Sequence, residues 1–181
     1  MSYLVQYRFD GHGLPGIRQL SIEQRIIDAK LLYDHGRFEG ALLSVLVGAA
    51  GTSRLRFPRG TPSKRKRGET MRDGEAFEAF MNEEMRRVGE CRVFFNGECN
   101  SAERIFYKWL RCTLAHEAKL PDQIVFRADC TPRHASLKRD VGPPERLIVT
   151  YPMVLLIGHV VCSAPENSSI PDEVRRLMFP A

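Results

Sequence analysis

The sequence predicts a mainly α-helical bundle of four to five helices with short peripheral β-strands. Three observations carry that prediction. Through residues 38–49, Phe38, Ala41, Leu42, Val45, Leu46 and Ala49 fall at i, i+3, i+4, i+7, i+8 and i+11, the stripe of an amphipathic helix. From about 100 to 119 a second helix is apolar on nearly every side, with Ala102, Ile105, Phe106, Tyr107, Trp109, Leu110, Cys112, Leu114 and Ala115. Such a helix belongs at the centre of a bundle or beneath a second subunit. Strand patterns, by contrast, are few and short. With 181 residues, 43% of them hydrophobic, the chain can bury one core. We therefore expect a single domain over 1–181.

Taken in order, Tyr3, Val5, Tyr7 and Phe9 alternate as in a short strand. Ser21 is placed to cap a helix carrying Ile22, Ile26, Ala29 and Tyr33, which Gly36 ends. The 38–49 helix follows so closely that the two should form an antiparallel pair. From Gly51 to Gly74 the composition turns to Arg, Lys, Gly, Pro, Ser and Thr, the signature of a long exposed basic loop. A third helix over about 75–88 buries Ala76, Phe77, Phe80, Met81, Met85 and Val88. N-G-E-C makes a turn, after which Asn100 caps the apolar helix with Glu103 at the capping-box position, and Pro121 stops it. Q-I-V-F-R-A (123–128) and L-I-V-T (147–150) are strand candidates on either side of a polar, basic loop. Thr150 and Pro152 open a further helix. I-P-D-E-V-R-R-L-M-F forms the last, with acids in its first turn and arginines in its last.

Several classes of function are disfavoured. The longest apolar stretch, Leu147 to Ala164, is interrupted by Pro152, Gly158 and His159, so no membrane span is expected. The first residues lack a basic region leading into an apolar one, and the five cysteines are irregularly spaced, so a cytoplasmic chain is expected. No pair among Cys91, Cys99, Cys112, Cys130 and Cys162 forms C-x-x-C, and no His/Cys/acid cluster has ligand spacing. We expect neither metal nor cofactor. No glycine-rich phosphate loop is present either.

Charge points towards a polyanion. The chain carries a net charge of +5, and eight basic residues lie between Arg54 and Arg72, with Glu69 and Asp73 at the far end. Arg54, Arg56, Lys64, Arg65, Lys66 and Arg67 are the candidate nucleic-acid contacts, RNA being the expected partner. A solvated surface loop is the alternative reading of S-K-R-K-R.

Catalytic candidates are Arg111 and His116. An Arg-x4-His spacing occurs by chance about 0.6 times in a chain of this composition, so the spacing alone decides nothing. Its setting does more. I-F-Y-K-W-L-R-C-T-L-A-H-E, residues 105–117, resembles the central motif of HEPN domains, in which an aromatic-rich helix leads into R-C-x-L-x-H-E. The order of elements is similar over roughly 21–165: two paired helices, a variable loop, a third helix, the motif helix and a closing helix. The resemblance implies a compact helical bundle that dimerises so that two R-x4-6-H motifs share a cleft. It also implies a metal-independent endoribonuclease of the toxin, defence or RNA-processing kind, with an antitoxin or other protein partner possible. Arg111 and His116 would then be its active pair. Active members usually carry Asn, Asp or His after the arginine, where this chain has Cys112. A non-catalytic HEPN-like module that binds RNA, a nucleotide or a protein is the other outcome.

The residue types fit such a reaction. Histidine moves protons near neutral pH, and arginine holds phosphate oxygens with a planar fork that stays charged. The 2′-OH would attack the adjacent phosphate, leaving 2′,3′-cyclic phosphate and 5′-OH ends. Five α-helical steps, however, put the two side chains about 140° apart with a rise of about 7.5 Å. They converge only if the arginine wraps round or a second chain completes the site. Otherwise His116 is a core or interface histidine and Arg111 pairs with an acid. His159 reads as a satisfied core histidine, and His35 as a helix end.

Overall fold

Helices dominate the computed structural model, which describes residues 17–87, 92–127 and 135–178. The alternating segment at 3–9, Val88, Cys91, Cys130 and the last residues fall outside that range. Helix α1 (Ile17–Asp34) starts four residues before Ser21, because I-R-Q-L contains nothing that breaks a helix. It ends as the sequence requires. Gly36 adopts φ 70°, its N–H bonds Tyr33 O at 3.0 Å, and Arg37 N–H bonds Leu32 O at 2.8 Å. That pair of bonds is a Schellman ending, and glycine is the residue that reaches this conformation without strain.

Helix α2 (Phe38–Arg56) is the hub, packing against α1, α3 (Asp73–Met85) and α6 (Pro152–Ser163). Its predicted stripe is core: Ala41, Leu42, Val45, Leu46 and Ala49 have no exposed surface. Small residues let α1 lie close along it. A Cβ on Gly40 would meet Leu32, one on Gly48 would meet Arg25, and one on Gly51 would meet Ile22 at 3.3 Å. The order of these pairs reverses along the two helices, which confirms the antiparallel arrangement.

The expected loop from 51 is shorter than its composition implied. Residues 51–56 belong to α2, because Gly51 is a packing contact and the hydroxyls of Thr52 and Ser53 donate to Gly48 O and Ala50 O of their own helix. What remains, 57–72, is pinned by a bridge between Pro62 and Thr70 and by Met71 N–H donating to Thr61 O at 2.7 Å.

After α3, strands β1 (Arg92–Phe95) and β2 (Glu98–Ser101) form an antiparallel hairpin through Asn96 and Gly97, both with positive φ. Two such residues make the turn that matches strand twist. Asn100 is therefore not a helix cap. It lies in β2, almost fully buried, and donates to Phe95 O and Glu98 O, while Glu103 accepts from Asn82. The second sheet places β5 (Arg146–Thr150) between β3 (Ile124–Arg127), which is parallel to it, and β4 (Leu137–Asp140), which is antiparallel. β5 runs into α6, and α7 (Asp172–Met178) follows. Arg175 on α7 donates to Cys162 O, Asn167 O and Ile170 O, satisfying carbonyls left at the end of α6 and in the turn after it. No helix among the described residues is long and apolar enough to cross a membrane.

One ionic cluster ties the bundle together. Arg56, at the end of α2, forks onto Glu166 at 2.7 and 2.8 Å, and its Nη2 lies 2.7 Å from Oε1 of buried Glu84 on α3. The Arg56 hydrogen bond holds the Glu166 carboxyl below its ordinary range, against the opposing effect of burial. Its folded pKa is thus lower than its unfolded one. The stabilisation is complete above the unfolded value and is lost as pH falls through the folded value. Thermal stability should therefore decline as pH falls below about 5, and Glu166→Gln should flatten that decline. Melting curves that keep the same slope in both proteins would refute the assignment.

Candidate functional site

The motif helix is continuous but not uniform. α4 (Ala102–Arg104) leads into a π-helical segment (Ile105–Arg111) and then α5 (Cys112–Glu117), with right-handed helical angles at both junctions. Cys112 N–H donates to Tyr107 O, five residues back, so the wide turns end where Arg111 begins. π-Turns inside α-helices are rare and occur often at functional sites. Packing shows what this one does. Ile105, Phe106 and Leu110 are all fully buried. Ile105 and Leu110 lie five apart, a separation an α-helix would spread over about 140°. Tyr107 rests against Phe77 and lies so close to Gly74 that a Cβ there would sit 2.7 Å from its ring. Trp109 meets Phe95 edge-on at 5.4 Å. Lys108 is exposed and Tyr107 and Trp109 half-buried, so the helix is not buried on every side.

Arg111 is half-buried. Its Nε is sealed from solvent and has no hydrogen-bond partner among the described residues, and its guanidinium lies 5.5 Å from the Tyr107 ring centre. It opens into a cavity of about 680 Å³ between α1, the second half of α2 and the 57–72 loop. Arg25, Arg54 and Arg59 line the same cavity, with Asp73 as the one carboxylate among the described residues there. Arg54 is committed: it donates to Asp73 Oδ1 at 2.7 Å and to the carbonyls of Phe57 and Met71. Arg25 only approaches Asp28, at 4.0 Å. An arginine cluster with one carboxylate is suited to an anion. Sequence reasoning counted Arg59 only as one member of the basic run and did not single out Arg25. The available signal was Gly48 and Gly51, which mark where α1 comes close and so bring Arg25 beside α2.

His116 is exposed and lines none of the described cavities. Leu114, two positions earlier, is buried, and 200° of helix separates their directions. One chain therefore does not bring Arg111 and His116 together: Arg111 faces the α2 side, His116 the open side. α5 ends at Ala118, which takes φ 55°. The Cys112 thiol lies beside the Tyr107 hydroxyl. Burial raises the Tyr107 pKa, and the neighbouring Cys112 adds to the rise.

The basic loop is less free than its sequence suggested. Arg65 pairs with Glu78 at 2.6 Å, Lys64 with Glu83 at 3.3 Å, and Lys66 with Glu69 at 3.4 Å. Ser63 Oγ and the backbone N–H groups of Lys64 and Arg65 donate to Glu75. Arg56 is committed to Glu84 and Glu166, whereas Arg67 makes no ion pair among the described residues. Apart from Glu69 in the loop itself, the loop's partners are a stripe of acids on α3. The exposed pairs among them, Lys64–Glu83 and Lys66–Glu69, contribute little to stability. His35 Nδ1 contacts Leu31 O at 2.8 Å, and His159, half-buried, lies 3.4 Å from Ser163 Oγ. Among the described residues, no three His, Cys, Asp or Glu side chains stand together as a metal site.

A second cavity, of about 540 Å³, is lined by Leu114 together with Phe38, Phe126, Tyr151 and Ala118. No protein-family model matches the chain, and neither curated proteins nor solved structures give a significant match.

Proposed function

We propose that this chain is an RNA-associated, HEPN-like protein that cleaves RNA without a metal, as a homodimer, with Arg111 gripping the phosphate and His116 moving the proton. The observation that carries the reading is Arg111 itself: a half-buried guanidinium facing a cavity lined by three more arginines. Clustered guanidinium charges repel one another, and an anion in the cavity offsets that repulsion. The exposed face of α5 carries His116 and is open to a second subunit.

A binding module without catalysis is the second reading, and Cys112 favours it. Its thiol is a weak hydrogen-bond partner and is already turned to Tyr107. The experiment separates the two. Single-stranded RNA is incubated with the protein in EDTA, and binding is followed across a salt series. Scission that leaves 2′,3′-cyclic ends supports the nuclease. Salt-dependent binding without scission supports the module. A protein that neither binds nor cuts removes both.

A further inference from the structure

The aromatic cavity lies on the same side of the motif helix as the arginine cavity and has a different chemistry. Phe38 and Tyr151 stack at 3.7 Å with 10° between their planes, and Phe126 lies 6.2 Å from Tyr151 at 18°. Three nearly parallel rings from α2, the β3 strand and the start of α6 line the cavity, with Tyr33 edge-on to Phe38 at 5.3 Å. All three are half-buried, so the stack is not sealed into the core. Arg37 and Glu39 line the same cavity, both exposed, and no described residue pairs with either side chain. A flat ligand entering here meets rings, one donor group and one acceptor group.

We propose that this cavity is a nucleobase subsite. The occupant is a base of the single-stranded RNA, lying against the Phe38–Tyr151–Phe126 array with its edge towards Arg37 and Glu39. Every base has a π-face, and stacking on an aromatic side chain is the usual way a protein holds an unpaired one. The volume of about 540 Å³ admits a nucleoside. Placement supports the same ligand. Arg111 faces the second half of α2, while Leu114 and Ala118 face its first half. The two cavities are therefore spaced on the order of 10 Å along the helix axes. One strand can rest a phosphate in the first and a base in the second. The subsite rests on the RNA reading for its biological meaning but not for its detection.

The test uses uncharged nucleosides, which the arginine cavity does not attract. Adenosine, guanosine, cytidine and uridine are titrated into the whole protein by calorimetry, alongside Phe38→Leu and Phe126→Leu, which keep apolar bulk and remove one ring each. At least one nucleoside should bind saturably at millimolar concentration. Whichever of the two variants keeps its melting transition should weaken that binding about tenfold, and Arg111→Ala should leave it unchanged. Absence of saturable nucleoside binding overturns the subsite, as does binding indifferent to both rings. Phenylalaninamide binding as tightly as the best nucleoside overturns it too, in favour of a peptide side chain. Nucleoside binding through Phe38 by a protein that ignores RNA would keep the subsite and remove the proposed function. RNA binding with no nucleoside site would do the reverse.

Discussion

Arg56→Ala is expected to destabilise the protein by about 3 kcal/mol, the low end for breaking a buried ion pair. Arg56 keeps only 15% of its side-chain surface, and Glu84 only 4%. Removing the guanidinium strips Glu166 of its fork and leaves Glu84 with Arg87 alone, a partner that is 67% exposed. It also removes the cation that sits 4.9 Å from the Phe80 ring centre. For a domain of this size, about 3 kcal/mol lowers the melting temperature by roughly 6–12 °C. Glu166→Gln should cost less, because Arg56 keeps Glu84. Urea midpoints with an unchanged m-value are the measurement. The same variant decides what Arg56 is for. If stability is untouched and RNA affinity collapses, Arg56 is a ligand contact, as its place in the basic run first suggested. If stability falls and the salt slope of binding holds, it is a strut between helices.

The periodic elements were legible in the sequence because burial and spacing coincide in them. The 41–49 part of the α2 stripe and Phe77, Phe80 and Met81 on α3 are buried as their spacing requires, with Phe38 half-buried at its start. Elements that depend on a partner were not legible. β1 and β2 are four residues each, and only their Asn–Gly turn was visible. β4, L-K-R-D, carries one buried residue and pairs only because β5 lies beside it. The motif helix is the instructive case. Its apolar residues seemed to cover every face because they were counted at 3.6 per turn. The π-turns gather Ile105 and Leu110 onto one side and leave Tyr107 and Trp109 at the boundary. Charge was misjudged for a similar reason. A tally confined to 54–72 omits Glu75, Glu78 and Glu83, which a helical spacing on α3 turns towards the loop. For the site, the divergence of Arg111 from His116 followed from helix geometry alone, but the arginine cavity required α1 to dock on α2.

That divergence leads to the prediction with the largest change in signal. Arg111→Ala and His116→Ala should each lower RNA cleavage in EDTA by about 10²-fold or more, one through lost charge stabilisation and the other through lost proton transfer. Mixed together, the two inactive proteins should recover activity. In a two-fold dimer whose sites combine Arg111 of one chain with His116 of the other, a heterodimer of the variants keeps one whole site and loses both partners at the second. Free exchange of chains makes about half the dimers mixed, each with one of two sites, so the mixture should reach about a quarter of the wild-type rate. Diluting it until sedimentation shows monomers should abolish the recovery. A site built within one chain predicts something different: the mixture stays as inactive as its components, and wild type cuts RNA as a monomer. That outcome would require the Arg111 side chain to leave its cavity and wrap round the helix. Its sealed Nε and its contact with Tyr107 argue against this, and an exposed His116 with no partner among the described residues is what a site shared between two chains requires.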